Sequence, residues 1–189
     1  GLLFWRYFST SMLQSGQSLV NNAHMISKIY FPRIIMPVAS CLSTVVDFLV
    51  GFAVLLVMFP FFGTALSFKL LLVPVLLIVT LLTTLSVSLW LSALNVRYRD
   101  INQIIPFIIQ VWMYMVPLMY PIETVPESVR TIYSINPMVG VIEGARWALI
   151  GTSAPDVTTL LIGTVTVLVL LVGGFIFFHR VERNFADVI

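Results

Sequence analysis

Hydrophobic positions along this chain run on in long blocks instead of recurring every second or every third to fourth residue. From Ile34 to Phe59 the run is broken only by Pro37, Asp47 and a few small polar residues, and Leu70 to Leu94 carries no charge. Ile101 to Met119 is a third block, studded with Pro106, Gln110 and Pro117, and Val157 to Phe178 a fourth, with a Gly173-Gly174 pair. Each approaches or exceeds the roughly 20 residues a helix needs to cross about 30 Å of hydrocarbon. Phe4 to Val20 is a more polar fifth block, and its Ser, Thr and Gln content predicts packing against protein or water instead of lipid. The pattern predicts an all-α, polytopic membrane protein with about five spans, one transmembrane domain over residues 1–189.

Composition supports the bilayer as solvent. Of 189 residues, 59% are apolar and 10% charged, with a mean hydropathy of +1.04, against about 45–50% and about 25% in soluble domains. The net charge of +2 is small and its cations are scattered at segment ends, so no nucleic-acid partner is expected. Cys41 stands alone, as do His24 and His179, so neither a disulfide framework nor a metal site is expected. No GxxxxGK[ST] loop occurs, and no nucleophile-base or paired-carboxylate set assembles on one side of the membrane. The chain therefore reads as a non-enzyme that binds no cofactor itself. It opens on Gly1 within an apolar stretch and reads as a fragment of a longer chain.

Alternating the connections across the membrane groups segments 21–33, 95–100 and 179–189, which carry Lys28, Arg33, Arg97, Arg99, Arg180 and Arg183. The other side holds Lys69, Arg130 and Arg146 against Glu123, Glu127, Glu143 and Asp156. The cationic side is expected to be cytoplasmic. Trp5, Tyr7, Trp112, Tyr114, Tyr120 and Tyr133 fall near the outer half, either as an interfacial belt or as a lining that meets substrate.

Three stretches depart from a plain bundle. Residues 121–151 are too polar to span and too apolar for a simple loop, and Pro121, Pro126 and Pro137 cut them into short pieces, as in helices that dip into the membrane and return. Glu143 and Arg146 lie three apart there, either as an interfacial ion pair or as part of a gate. Residues 21–33 place Met25, Ile26, Ile29 and Tyr30 at helical spacing, with Asn21 or Asn22 as a cap and Pro32 as the stop; such a helix floats at the headgroups or docks on a soluble partner. The turn Asn95-Val96-Arg97-Tyr98-Arg99-Asp100-Ile101 packs three charges into four residues, with Asp100 placed to accept from the next helix start. Asp47, well inside its run, is either satisfied by a neighbouring helix or faces a polar cavity.

Together the segment Val20-Asn21-Asn22 to Lys28-Ile29-Tyr30-Phe31-Pro32-Arg33, the turn at 94–101, the step Pro117-Leu118-Met119-Tyr120-Pro121, the stretch Asn136-Pro137-Met138 to Glu143-Gly144-Ala145-Arg146-Trp147 and the C-terminal Glu182-Arg183-Asn184-Phe185-Ala186-Asp187-Val188-Ile189 resemble the permease subunits of type-2 ABC exporters, most closely those for O-antigen, teichoic acid or capsular polysaccharide. The resemblance implies a coupling helix at 21–33, with His24, Met25, Ile26, Lys28, Ile29, Tyr30 and Arg33 meeting a separate ATPase subunit that binds ATP and Mg. It implies a pair of re-entrant gate helices at 121–151, with Tyr120, Glu143, Arg146 and Trp147 as gate residues, and a homodimer enclosing the conduit. A further cytoplasmic helix and a first span are expected upstream, and the bacterial inner membrane is the expected location. Trp5, Tyr7, Trp112 and Tyr114 are the rings on which sugar faces are expected to stack, and Arg6 departs from the usual small or apolar residue. Competing readings are a type-2 permease for a small drug or lipid, a membrane-embedded glycan- or lipid-modifying enzyme built on Asp47, Glu143 and Arg146, and a purely structural subunit.

Overall fold

The computed structural model describes residues 1–26, 31–61, 68–98 and 100–182. Every regular element among them is helical: α1 (Leu2–Asn21), α2 (Ala23–Ile26), α3 (Ile35–Phe61), α4 (Val73–Arg97, entered through a 3-10 turn at Phe68–Leu72), α5 (Ile101–Tyr114), α6 (Glu127–Ser134), α7 (Pro137–Ile150) and α8 (Val157–Glu182). Three are long and apolar enough to cross a membrane: α3, α4 with its 3-10 turn, and α8. Helix α5 stops at Tyr114, short of the predicted Met119, and residues 115–120 turn instead. Pro117 accounts for this, since it has no N–H to donate and its ring clashes with the carbonyl four residues back.

On α3, α4 and α8 the exposed faces are mostly apolar, and α4 adds small polar residues to the buried side. The outward faces of α3 and α8 are Val, Leu, Ile and Phe, among them Val46, Val57, Leu161, Val165 and Val169. The buried face of α4 holds Thr80, Thr83, Thr84, Ser86, Ser88, Ser92 and Asn95. Most of those hydroxyls donate to a carbonyl of their own helix, such as Thr80 to Leu76 at 2.7 Å and Ser86 to Thr83 at 2.7 Å. In hydrocarbon a polar side chain needs such a partner, and small residues let helices approach closely.

Helix α1 runs through the middle, between α3 and α4. Against α3 it is antiparallel: the Phe4 ring meets Phe48 edge-on at 4.9 Å, Tyr7 donates to the Cys41 carbonyl at 3.2 Å, and Ser15 donates to the Pro37 carbonyl at 2.9 Å. Against α4, Asn95 Nδ2 donates to the Gly16 carbonyl at 3.1 Å. Helix α8 closes on α4 through a notch at Gly173 and Gly174 that receives the Trp90 indole, which donates to the Leu170 carbonyl at 3.0 Å and stacks on Phe177 at 4.8 Å.

The two ends sort as the charge count requires. Arg33 reaches Glu182 at one end, and the Arg97 turn follows the α4 residues that meet Gly16. At the other end, Lys69 lies 4.7 Å over the Trp147 ring and Gly1 lies against Ile142 and Leu118. Segments 21–26, 31–33, 95–98 and 179–182 therefore share an end opposite to 68–72 and 120–156.

A side chain at Gly174 would meet Trp90 at 3.0 Å and the Ser86 carbonyl at 3.1 Å. Gly174→Leu is expected to lower stability by about 1–3 kcal/mol, read as a lower thermal midpoint in detergent. Val169→Leu, on the exposed face of the same helix, is expected to stay within about 0.5 kcal/mol of the native chain.

Candidate functional site

The end opposite the Arg33–Glu182 contact carries a helical hairpin. Asn136 caps α7 by accepting from Met138 N at 3.1 Å, Pro137 occupies the first turn, and Gly151 closes the helix with φ of 78°, a left-handed value that favours glycine. Almost every α7 residue from Pro137 to Ala145 is buried. Close approach explains its glycines: a Cβ at Gly140 would lie 3.2 Å from Leu160, and one at Gly144 2.9 Å from Leu76. The hairpin tip sits beside Gly163, whose missing Cβ would lie 3.2 Å from Pro137 Cα. Gly163 is six residues into α8, about 9 Å along its axis.

The expected gate residues gather here. Arg146 donates through Nη2 to the Leu118 carbonyl at 2.8 Å and through Nη1 to the Tyr120 carbonyl at 3.1 Å, fastening the 115–120 turn to α7. The Tyr120 hydroxyl donates to the Tyr114 carbonyl at 3.1 Å and lies 3.2 Å from the Tyr133 hydroxyl. Burial, with Tyr133 beside it, pushes the Tyr120 phenol up to about 12, so it keeps its proton through the physiological range. Glu143 and Arg146 line one polar cavity of about 290 Å³ with Arg130, Asp156, Ser134 and Thr159, and Trp147 lies beneath Lys69. Asp47 lines a different cavity, between α1 and α3. The three residues needed by the enzyme reading are thus not brought together.

Two of the four ring candidates change role. Trp5 and Tyr7 are buried, Trp5 tilted on Phe8 at 5.5 Å and Tyr7 against Phe48 at 5.9 Å, so neither offers a face to a sugar. The reason is that α1 is held between α3 and α4, which occupy its aromatic side. Trp112 is half-buried, edge-on to Phe8 at 5.2 Å, and Tyr114 is exposed.

Beyond Leu2 at its start, what α1 turns outward is polar. Arg6, Gln14 and Asn21 are exposed, and Thr10 and Gln17 are half-buried. The signal was in the sequence, because positions 6, 10, 14, 17 and 21 recur at the three- and four-residue spacing of one helical face. Helix α5 repeats the motif more sparsely, with Gln103, Gln110 and Tyr114 exposed.

At the opposite end, His24 and Met25 are exposed. The Ile26 side chain and Lys28, Ile29 and Tyr30 lie outside the described residues. Arg33 is bonded within the chain: its N–H donates to Glu182 Oε1 at 3.3 Å and its Nη1 to the Glu182 carbonyl at 2.7 Å, tying the start of α3 to the last turn of α8. A cation there also meets the negative end of the α8 dipole. Asn22 likewise serves the preceding helix, since its N–H and Nδ2 both donate to the Ser18 carbonyl and close α1. In the 95–101 turn, Arg97 lies over the Tyr98 ring at 5.5 Å and Arg99 is outside the described residues. Asp100 does precede α5, but its backbone is already helical and its side chain makes no capping bond; its carbonyl accepts from Gln103 N at 3.0 Å instead.

The profile of the ABC-2 type transporter family matches residues 2–150. An O-antigen export system permease protein RfbA of Myxococcus xanthus is 28% identical over 192 residues, covering all of this chain and 74% of its own length. Two proteins of that name from Klebsiella pneumoniae are 26% and 27% identical, each covering all of this chain and 73% of its own length. The chain belongs to the ABC-2 type transporter family, and is a multi-pass membrane protein of the transport class.

Arg146→Ala leaves two carbonyls of the 115–120 turn without their donor. The expected cost is about 2 kcal/mol, with faster protease cleavage in that turn. Arg146→Lys recovers part of it, because an ammonium lacks the planar fork that reaches both carbonyls.

Proposed function

We propose that this chain is the permease subunit of an ATP-driven exporter that moves a polysaccharide or lipid-linked glycan across the bacterial inner membrane. It acts as a homodimer with a separate ATPase subunit that binds ATP and Mg. The observation that carries this reading is the polar outward strip of α1, beside outward faces of α3 and α8 that are mostly apolar. Lipid cannot satisfy those groups, so the strip calls for a water-filled path. Two copies with these strips facing one another enclose such a path. The names of the relatives supply the cargo class.

Mechanism follows from where α1 is anchored. Its C-terminal end leads directly into the 21–33 segment, the proposed coupling helix, and its N-terminal end packs on Ile142 of α7. A rigid helix of 20 residues, about 30 Å long, thus joins the ATPase-facing segment to the outer hairpin. In this reading α6 and α7 form the re-entrant gate, and Arg146 and Tyr120 hold it to the 115–120 turn. Closure of the ATPase tilts α1, and the hairpin follows. Arg33 keeps α3 and α8 together at the cytoplasmic corner during the stroke. A hydroxyl-rich polymer slides along amide and hydroxyl groups that each bind weakly, so it is never arrested.

The test is co-expression of the complete gene with its neighbouring reading frames. A P-loop ATPase is expected to purify with the permease in one-to-one ratio, and Ile26→Asp and Ile29→Asp are expected to lose either the complex or the link between ATP hydrolysis and glycan export. A permease that purifies alone and exports without ATP contradicts the proposal.

A further inference from the structure

Two charged side chains stand on the antiparallel pair of α1 and α3: Arg6, four residues into α1, and Asp47, near the middle of α3. Contacts on either side place them opposite one another, because Leu3 lies against Gly51 and Tyr7 reaches Cys41 across the antiparallel pair. Both are exposed and line one groove of about 440 Å³, with Thr10 and Thr44 beside them. Asp47 stands about 18 Å along a helix about 40 Å long, near mid-depth. Among the described residues, neither charged side chain has a hydrogen-bond or salt-bridge partner, and neither does the Thr10 hydroxyl. The arginines at the ends behave differently: Arg33 and Arg146 are both bonded to carbonyls. Opposite charges left open at membrane depth and facing a groove of mixed polarity have the character of a site awaiting a ligand.

We propose that Arg6 and Asp47 form a binding station for a single sugar unit of the passing polymer, one that recognises a neutral, hydroxyl-rich residue. This rests on the glycan-export reading above. An ionised carboxylate accepts hydrogen bonds from neighbouring hydroxyls, and a guanidinium donates to ring and hydroxyl oxygens. The opposed charges cancel, which favours an uncharged ligand over a phosphate or an ammonium. Thr10 offers both a donor and an acceptor, and Thr44, whose hydrogen goes to the Cys41 carbonyl at 2.9 Å, keeps lone pairs free. Leu3, Tyr7, Phe48, Val50 and Gly51 complete the lining without adding a charge.

The test is ATPase stimulation of the complete transporter in proteoliposomes by lipid-linked polysaccharide isolated from the host strain. Asp47→Asn and Arg6→Gln are each expected to raise the half-stimulating polymer concentration by about tenfold, the loss of one charge-assisted hydrogen bond, with the maximal rate retained. Thr10→Val, which leaves both charges in place, is expected to give a smaller rise of about threefold and guards against misfolding of the charge variants. The exchange of the two, Arg6→Asp with Asp47→Arg, is expected to leave the defect in place, because each position then presents the wrong group to the sugar. Recovery on exchange overturns the proposal and identifies an ion pair between the two charges, within one protomer or reciprocally between two copies. Unchanged half-stimulation in both single variants and in Thr10→Val also overturns it. A native transporter that polysaccharide does not stimulate overturns the export reading and the station together, whereas the variant results bear on the station alone.

Discussion

Hydrocarbon offers no hydrogen bonds, and the architecture follows from that one constraint. Most polar groups in the helices bond within their own helix, bond to a neighbour, or face a groove; Ser11 Oγ and Asn95 Oδ1 are buried without a hydrogen-bond partner among the described residues. Helix α4 takes the first course with its Ser and Thr hydroxyls, and so presents a slender, internally satisfied surface on which α1, α3, α7 and α8 all pack. Asn95 takes the second course and fixes α1 at Gly16. The outward strip of α1 takes the third. A bundle built on apolar burial would gain little here, since lipid tails are as apolar as leucine.

Charge is used differently at the ends and in the middle. At one end Arg33 fastens α3 to α8, and at the other Arg146 fastens a turn to the hairpin, each donating to main-chain carbonyls. A planar guanidinium with several donors suits that work, because it closes more than one carbonyl at once. In the middle, Arg6 and Asp47 stand open to a groove. The contrast separates residues that hold the protein together from those that stand open to a groove, and α1 connects the two ends by running from Asn21 to the hairpin at Ile142.

The apolar blocks showed the helices in the sequence to within a few residues, since length and hydropathy suffice to mark a span. Charge asymmetry marked which connections share an end, and the Arg33–Glu182 and Lys69–Trp147 contacts place them so. Individual roles were harder to read. Trp5 and Tyr7 looked like conduit rings because aromatic residues serve both core and path, and the choice depends on helix rotation, which neighbours set. Arg33 looked like a partner contact because its bond to Glu182 spans 149 residues of chain. The polar face of α1 was present in the spacing, obscured by reading its Ser, Thr and Gln as composition instead of position.

The central claim, that α1 turns its polar face to water within the membrane, is tested most directly by the reactivity of single cysteines in intact membranes toward a charged, water-soluble thiol reagent. Cys41 is buried, so the native chain gives little background. Cysteines replacing Gln14 and Gln17 on α1 are expected to react, while those replacing Val165 and Val169 on the outward face of α8 are expected to remain unmodified. Silence at 14 and 17, or equal reaction at all four positions, contradicts the account.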